Sequence, residues 1–334
     1  MNTHVNTVRG AMPIDDIGVT LTHEHLYKNS VPLYHKQFPK TRQMSDMRIT
    51  RENRDEIWAD KEKILYQYTD NLILDDIDDI VAELGEFTAA GGNTIFEVTP
   101  DDLGRDPLKL REISEKSGVN VIMGGTHYYL PMLEPALYER VVNGKNGAHI
   151  LADRMIKEFS DGVGGTGIKP GVLGEVGLRH PPTDEILARA TLIAQKETGA
   201  PVIYHYAPFW ILDMAEEIGA DLSKIVMGHW TMRSRVEEAV ARGAWVSFDQ
   251  FGMDFPGIIN DEQRADEVLA MFEKGYEKQL LFSMDICWKV RLKKNGGDGY
   301  AGIFNHGFVL MQQKGITKQQ LLSVMTDNPK RLLR

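Results

Sequence analysis

Eight short runs rich in β-branched and other apolar residues, each followed by an amphipathic stretch, constrain this chain's fold more than any other feature of it. They cover residues 18–21, 93–98, 120–124, 171–177, 201–205, 224–228, 244–248 and 279–283. Between them, segments such as 76–91, 182–199 and 233–243 space apolar residues three and four apart and end on glycine, as capped helices do. Strands alternating with helices imply parallel pairing. Eight such units predict a closed (β/α)8 TIM barrel, and 334 residues with 42% apolar content suit one barrel domain spanning 1–334. The competing architecture is an open doubly wound sheet, which would place a glycine-rich phosphate loop after its first strand. Here that strand runs instead into Thr22-His23-Glu24-His25-Leu26-Tyr27. The stretch 27–72 is too long for an ordinary connection, charged and partly helical in pattern. It is read as an excursion over the barrel mouth, where such loops carry specificity.

A formal net charge of −10 argues against nucleic acid or an anionic membrane as partner, because phosphates recruit basic surfaces. No apolar run reaches membrane-spanning length, and the first residues lack the cationic-then-apolar pattern of a secretory leader. The single cysteine, Cys287, leaves no intrachain disulfide and fits a reducing compartment. These features predict a cytoplasmic protein that acts on a small molecule.

Polar residues concentrate where the strands end, the face on which barrel active sites are assembled. The first strand ends in His23-Glu24-His25, the second in a segment holding Glu97, Asp101, Asp102, Arg105 and Asp106, and the third in His127. The fourth carries Glu175, the fifth ends at His205, the sixth at His229 and the eighth at Asp285. A single histidine there is more often a hydrogen-bonding core residue than a ligand, and Asp101 or Asp106 reads equally well as a helix N-cap. His4, His35, His149, His180 and His306 lack the strand-end context, and His127 with Tyr128 reads as a pocket wall. The joint pattern is different. Strand alternation puts His23 and His25 on one face, able to reach one cation, and turns Glu24 away from it. Imidazole plus carboxylate suits zinc and its neighbours. Four histidines and two acids exceed the needs of one tetrahedral ion, which points to two divalent ions about 3.5–4 Å apart.

In order and spacing, GVTLTHEHL, FEVTPDDLGRD, GGTHYY, YHYAP, GHW, FSMD and TDNPKRLL resemble the phosphotriesterase-like members of the amidohydrolase superfamily along nearly the whole chain. The resemblance implies that His23, His25 and Asp285 hold the more buried metal, and His205 and His229 the more exposed one. In many members a carboxylated lysine bridges the two. Lys169 lies before the fourth strand, at its wrong end, whereas Glu175 occupies the ligand-facing half, so the chain looks like the smaller, glutamate-bridged branch. Zinc is the expected metal, with manganese and cobalt also suited.

The implied activity is hydrolysis of an ester-type bond by a metal-bridging hydroxide, with Asp285 accepting its proton. A lactone is the expected substrate. Lys289, Arg291, Lys293 and Lys294 beside Asp285, with Arg179 near Glu175, point to an anionic group such as that of a phosphorylated sugar lactone. Tyr128, Arg179, Lys289 and Arg291 are the candidate substrate contacts. A phosphotriester or another carboxylic ester is the alternative substrate. A metal-binding homologue with little catalysis is an alternative of another class, though one with no need for a proton acceptor. A mononuclear deaminase would add a glutamate shuttle that YHYAP and GHWTM do not supply. Related barrels often dimerise, which makes a homodimer an expectation by analogy.

Overall fold

The computed structural model describes residues 2–178, 183–229, 235–255 and 258–334. The barrel strands are β1 (Val19–Glu24), β2 (Gly92–Glu97), β3 (Asn120–Met123), β4 (Leu173–Gly177), β5 (Val202–His205), β6 (Ile225–Met227), β7 (Trp245–Phe248) and β8 (Leu280–Phe282). Each matches one of the expected runs to within a few residues. β1 to β3 pair in parallel in chain order, and so do β4 to β8. A parallel bridge between Gly124 and Val172 joins the two arcs. On the other side the Thr22 hydroxyl donates to the Phe282 carbonyl at 3.4 Å, and the His23 N–H donates to Ser283 Oγ at 3.0 Å. The sheet therefore closes as a TIM barrel.

Closure explains Gly124: a Cβ there would sit 2.1 Å from the Gly174 carbonyl oxygen, so any side chain would force β3 and β4 apart. Strand alternation sorts the apolar residues into two cores. Phe96, Ile122, Ile203, Val226 and Leu281 fill the barrel with Val5, Ile14 and Leu332 at its closed end. Their strand neighbours Ile95, Val121, Val202, Ile225 and Leu280 face outward onto helix residues such as Leu84, Phe87, Leu110 and Leu187. The helices form over Ile77–Ala89, Thr183–Thr198 and Val236–Ala241 as their patterns predict. Gly91, Gly199 and Gly243 follow them at positive φ.

The N-terminal hairpin, His4–Thr7 paired with Gly10–Pro13, has no counterpart among the expected elements. Neither has the two-residue antiparallel ladder Lys28–Asn29 with Ile73–Leu74, which fastens the start of the 27–72 excursion to its end. Inside the excursion lie the short helices Val31–Gln37, Arg54–Trp58 and Lys61–Tyr66. Its Ile49, Ile57, Ile64 and Leu72 pack on Met253, Phe255, Trp288 and Val290 from the loops after β7 and β8. That packing holds the excursion over the mouth.

Candidate metal centre

The strand ends converge. His23 Nε2 lies 3.4 Å from Glu175 Oε2, and His25 Nε2 lies 3.5 Å from Glu175 Oε1 and 3.4 Å from Asp285 Oδ1. His229 Nε2 is 4.0 Å from Glu175 Oε2 and 3.8 Å from Asp285 Oδ2. All five residues are buried. Two trios, His23/Glu175/His229 and His23/His25/Asp285, each bring one ligand atom per residue within 4.8 Å of the others. Ligands bound tetrahedrally at the usual zinc distances stand about 3.3 Å apart, close to the shorter of these separations. His23 Nε2 and Glu175 Oε2 are buried without a hydrogen-bond partner, a costly arrangement unless something else satisfies them. A divalent cation fits these donors. His205 belongs to neither trio but stands beside them, its ring centroid 4.6 Å from that of His229, with the Tyr128 hydroxyl 3.2 Å from its Nε2.

A second layer fixes the imidazoles. Asp249 Oδ1 accepts from His229 Nδ1 at 2.9 Å and from the His229 backbone N–H at 3.0 Å, while Oδ2 faces His23 Nδ1 at 3.1 Å. His25 Nδ1 meets the Thr99 hydroxyl at 2.8 Å, and that hydroxyl donates to Glu97 at 2.5 Å. His25 and His229 are thus held by Nδ1 and present Nε2, the arrangement that orients metal-ligating histidines, while His23 Nδ1 has Asp249 as its charged neighbour. Burial lowers the pKa of His25. It opposes protonation of His23 too, but Asp249 and Glu175 outweigh it and raise that pKa well above the ordinary value. Burial also disfavours ionised Glu175, yet the neighbouring histidines hold its pKa at about 2. Asp285 lies well below the usual carboxylate range because His229 and His25 likewise overcome its burial.

Glu24 faces away, as alternation requires, and belongs to neither trio. Its Oε1 accepts from Ser283 Oγ and the Met284 N–H, both at 2.6 Å, and its Oε2 from the Ile286 N–H at 2.9 Å. The segment bearing Asp285 is thereby tied to β1. Burial lifts the Glu24 carboxyl to about 7. Asp285, His229 and the adjoining Tyr206 are the non-glycine residues with positive φ among those described. Such backbone costs on the order of 1–3 kcal/mol per residue and tends to gather at functional sites.

Arg291 and Lys289 are a correction. Arg291 is buried beneath the site, donating to the carbonyls of Met284 at 2.5 Å and Phe251 at 2.6 Å. Lys289 pairs with Asp70 at 2.7 Å, Lys293 with Glu86 and Lys294 with Asp79. Each basic group of this loop is consumed by the fold because the excursion and the helix Ile77–Ala89 supply carboxylates beside it. Arg179 lies outside the described residues. Tyr128 lines the central cavity; His127 lines a separate one with Asp101, Asp102 and Arg154. Lys169 sits beside Asn6 and Arg9 at the opposite end.

The central cavity, about 240 Å³, is lined by His25, Glu175, His205, His229 and Asp285 below. Its upper wall is aromatic, with Tyr34, Phe38 and Tyr66 from the excursion and Phe255 and Trp288 from the last loops. Asp249 and Lys28 escaped the sequence reading. Asp249, the first residue after β7, stands at a strand end like the other site residues. Lys28 lines the cavity from the two-residue ladder, and no pattern marks a lysine there as buried.

Residues 3–333 match the phosphotriesterase family. A phosphotriesterase-related protein of Nematostella vectensis is 34% identical, over 97% of this chain and 96% of that protein. An N-acetyltaurine hydrolase of Bos taurus is also 34% identical, over 98% of this chain and 97% of that protein. The crystal structure of a resiniferatoxin-binding protein from Rhodobacter sphaeroides superposes with a TM-score of 0.88 at 31% identity, covering 99% of this chain and 95% of that one. A phosphotriesterase homology protein from Escherichia coli shares the fold at a TM-score of 0.78 and 23% identity, over 96% of this chain and 100% of that one. No helix among the described residues is long and apolar enough to cross a membrane. The chain is a hydrolase and belongs to the phosphotriesterase family.

Proposed function

We propose that the chain is a binuclear metal-dependent hydrolase that cleaves the acyl bond of a small carboxylic acid derivative, an amide in the first instance. The observation that carries the binuclear reading is that two His/carboxylate trios share His23, with His23 Nε2 and Glu175 Oε2 buried and unpaired between them. In this reading His23, His25 and Asp285 would hold one ion and His205 and His229 the other, with Glu175 available to both. Zinc suits the donors, as do manganese and cobalt. Bound there, the two ions would supply Lewis acidity toward the acyl oxygen and a water acidified to near neutrality. Asp285, held ionised by His229 and His25, would be the group placed to accept a proton from an attacking water and to return one to the leaving nitrogen or oxygen. The Tyr128 hydroxyl beside His205 and the Tyr206 ring frame the approach of the acyl group. The buried Cys287 thiol fits a reducing, cytoplasmic location.

An amide is favoured because curated relatives at 29–34% identity bear the name N-acetyltaurine hydrolase. The cavity also falls below the volume typical of drug-sized ligands, which disfavours bulky triesters. With Lys289, Arg291, Lys293 and Lys294 paired off, the phosphorylated sugar lactone loses its support. Simple lactones share the same acyl chemistry. The test is elemental analysis of purified protein together with a hydrolysis screen of N-acetyltaurine, other N-acetyl amines, neutral and phosphorylated lactones, and phosphotriesters. About two ions per chain with turnover concentrated on N-acetyl amines is the expected result. One ion per chain, or turnover only on phosphotriesters, overturns the proposal.

A further inference from the structure

Lys28 is buried, 5% exposed, at the seam where the excursion leaves the barrel. Its side chain lines the cavity that holds His25, Glu175, His229 and Asp285. The ammonium donates to the Cys287 carbonyl at 3.2 Å, and among the described residues no carboxylate stands within 4.0 Å of it. An ammonium has three N–H donors, and this contact uses one. The other buried lysine among the described residues, Lys224, donates to the Leu332 carbonyl in the last turn of helix Lys318–Leu333, where the helix dipole is negative. Lys28 has no such helix end. Surface lysines such as Lys63, Lys274, Lys293 and Lys314 all pair with acids. An ammonium kept from water without a counter-charge is costly, so the place is intelligible if an anion joins it there.

We infer that Lys28 is the receptor for a singly charged oxyanion, a carboxylate or sulfonate, carried by the substrate at the end away from the scissile bond. The inference rests on the hydrolase reading for what happens at that bond, but not for the binding of the anion. A phosphate dianion is less suited, since such groups are met by bidentate guanidinium or several donors, and the guanidinium of Arg291, six residues after Asp285, is spent on backbone carbonyls. Tyr34, Phe38, Tyr66 and Trp288 give the same cavity an aromatic wall, and Lys28 itself is buried. Burial strengthens the attraction of the ammonium for an anion. In a protein of net charge −10, the acidic surface disfavours anions in general. A local buried cation is therefore what selects them.

The first experiment measures binding of ethanesulfonate, a poor metal ligand, and of its neutral counterpart ethyl methyl sulfone to the metal-loaded protein by calorimetry. The expected result is that the sulfonate binds more tightly in the wild type. In Lys28→Met its affinity should fall about ten- to hundredfold, the scale of a hydrogen bond to a charged group, and Lys28→Arg should keep the preference. Equal binding of sulfonate and sulfone by the wild type overturns the inference without any variant. So does sulfonate affinity unchanged in a folded Lys28→Met. A second readout is the ratio of kcat/KM for N-acetyltaurine over N-ethylacetamide, which falls at least tenfold in Lys28→Met. Sulfonate selectivity without hydrolysis of any acyl substrate would undo the hydrolytic reading alone, whereas hydrolysis indifferent to the anion would undo the role of Lys28 alone.

Discussion

Asp249→Asn tests the architecture of the metal centre at the point where one side chain serves both trios. The carboxylate offers two acceptor oxygens. Oδ1 receives the His229 ring and backbone N–H at 2.9 and 3.0 Å, and Oδ2 faces the His23 ring at 3.1 Å. An amide keeps one acceptor and turns the other into a donor. Its oxygen should settle where two donors wait, at His229, leaving the NH2 against His23 Nδ1. His23 must then shift its proton to Nε2, the atom that faces Glu175 and the other ligands, and it ceases to be a ligand. Loss of such a supporting partner costs about 10- to 100-fold in metal affinity, or about 1.4–2.7 kcal/mol. The loss should fall on the ion assigned to His23, His25 and Asp285, with the ion at His229 weakened less than tenfold. Competition against a chromophoric chelator reads the two affinities, and long-range 15N–1H NMR of the metal-free protein reads which His23 ring nitrogens carry protons. Two ions bound with wild-type affinity, or a loss confined to the His205/His229 ion, would refute the reasoning.

Two further outcomes follow from other parts of the fold. Burial lowers the His127 pKa to about 4, so the folded protein keeps this ring neutral while the unfolded chain titrates near 6.5. Its contribution is intact above pH 6.5 and is lost as the pH falls through 4. Between pH 6.5 and 4.5 His127→Phe should lose less stability than the wild type, by about 2 kcal/mol; urea denaturation at those two pH values measures this, and parallel acid losses would contradict it. Gly124→Ala would place a Cβ against the Gly174 carbonyl at the β3–β4 seam and should cost about 1–3 kcal/mol as overpacking does; an unchanged melting temperature would show that the seam yields freely.

The barrel was legible because its signals are local. Each strand is a short apolar run, each helix carries its own period, and eight repetitions leave few topologies. The convergence of the candidate site residues was legible for a related reason. A barrel delivers strand ends to one face, so His23, His25, Glu175, His205, His229 and Asp285 can be gathered without knowing any angle. The same rule reaches Asp249, which follows β7. The N-terminal hairpin and the Lys28–Asn29 ladder were harder, since each is too short to show a period and is stabilised by what it packs on.

What the sequence could not convey is the use to which each charge is put. Lys28, Lys289 and Arg291 look alike along the chain, and four cations clustered after Asp285 invite a substrate. Tertiary packing reverses that expectation. Carboxylates from segments some two hundred residues earlier meet Lys289, Lys293 and Lys294, and backbone carbonyls absorb Arg291. Lys28, isolated in sequence, is carried by the excursion into the cavity. Composition and period determine which residues reach the mouth of the barrel. Pairing across the closed fold decides which of them remain available to a ligand, because a charge is neutralised by whatever lies within a few ångströms in space and not by its neighbours along the chain.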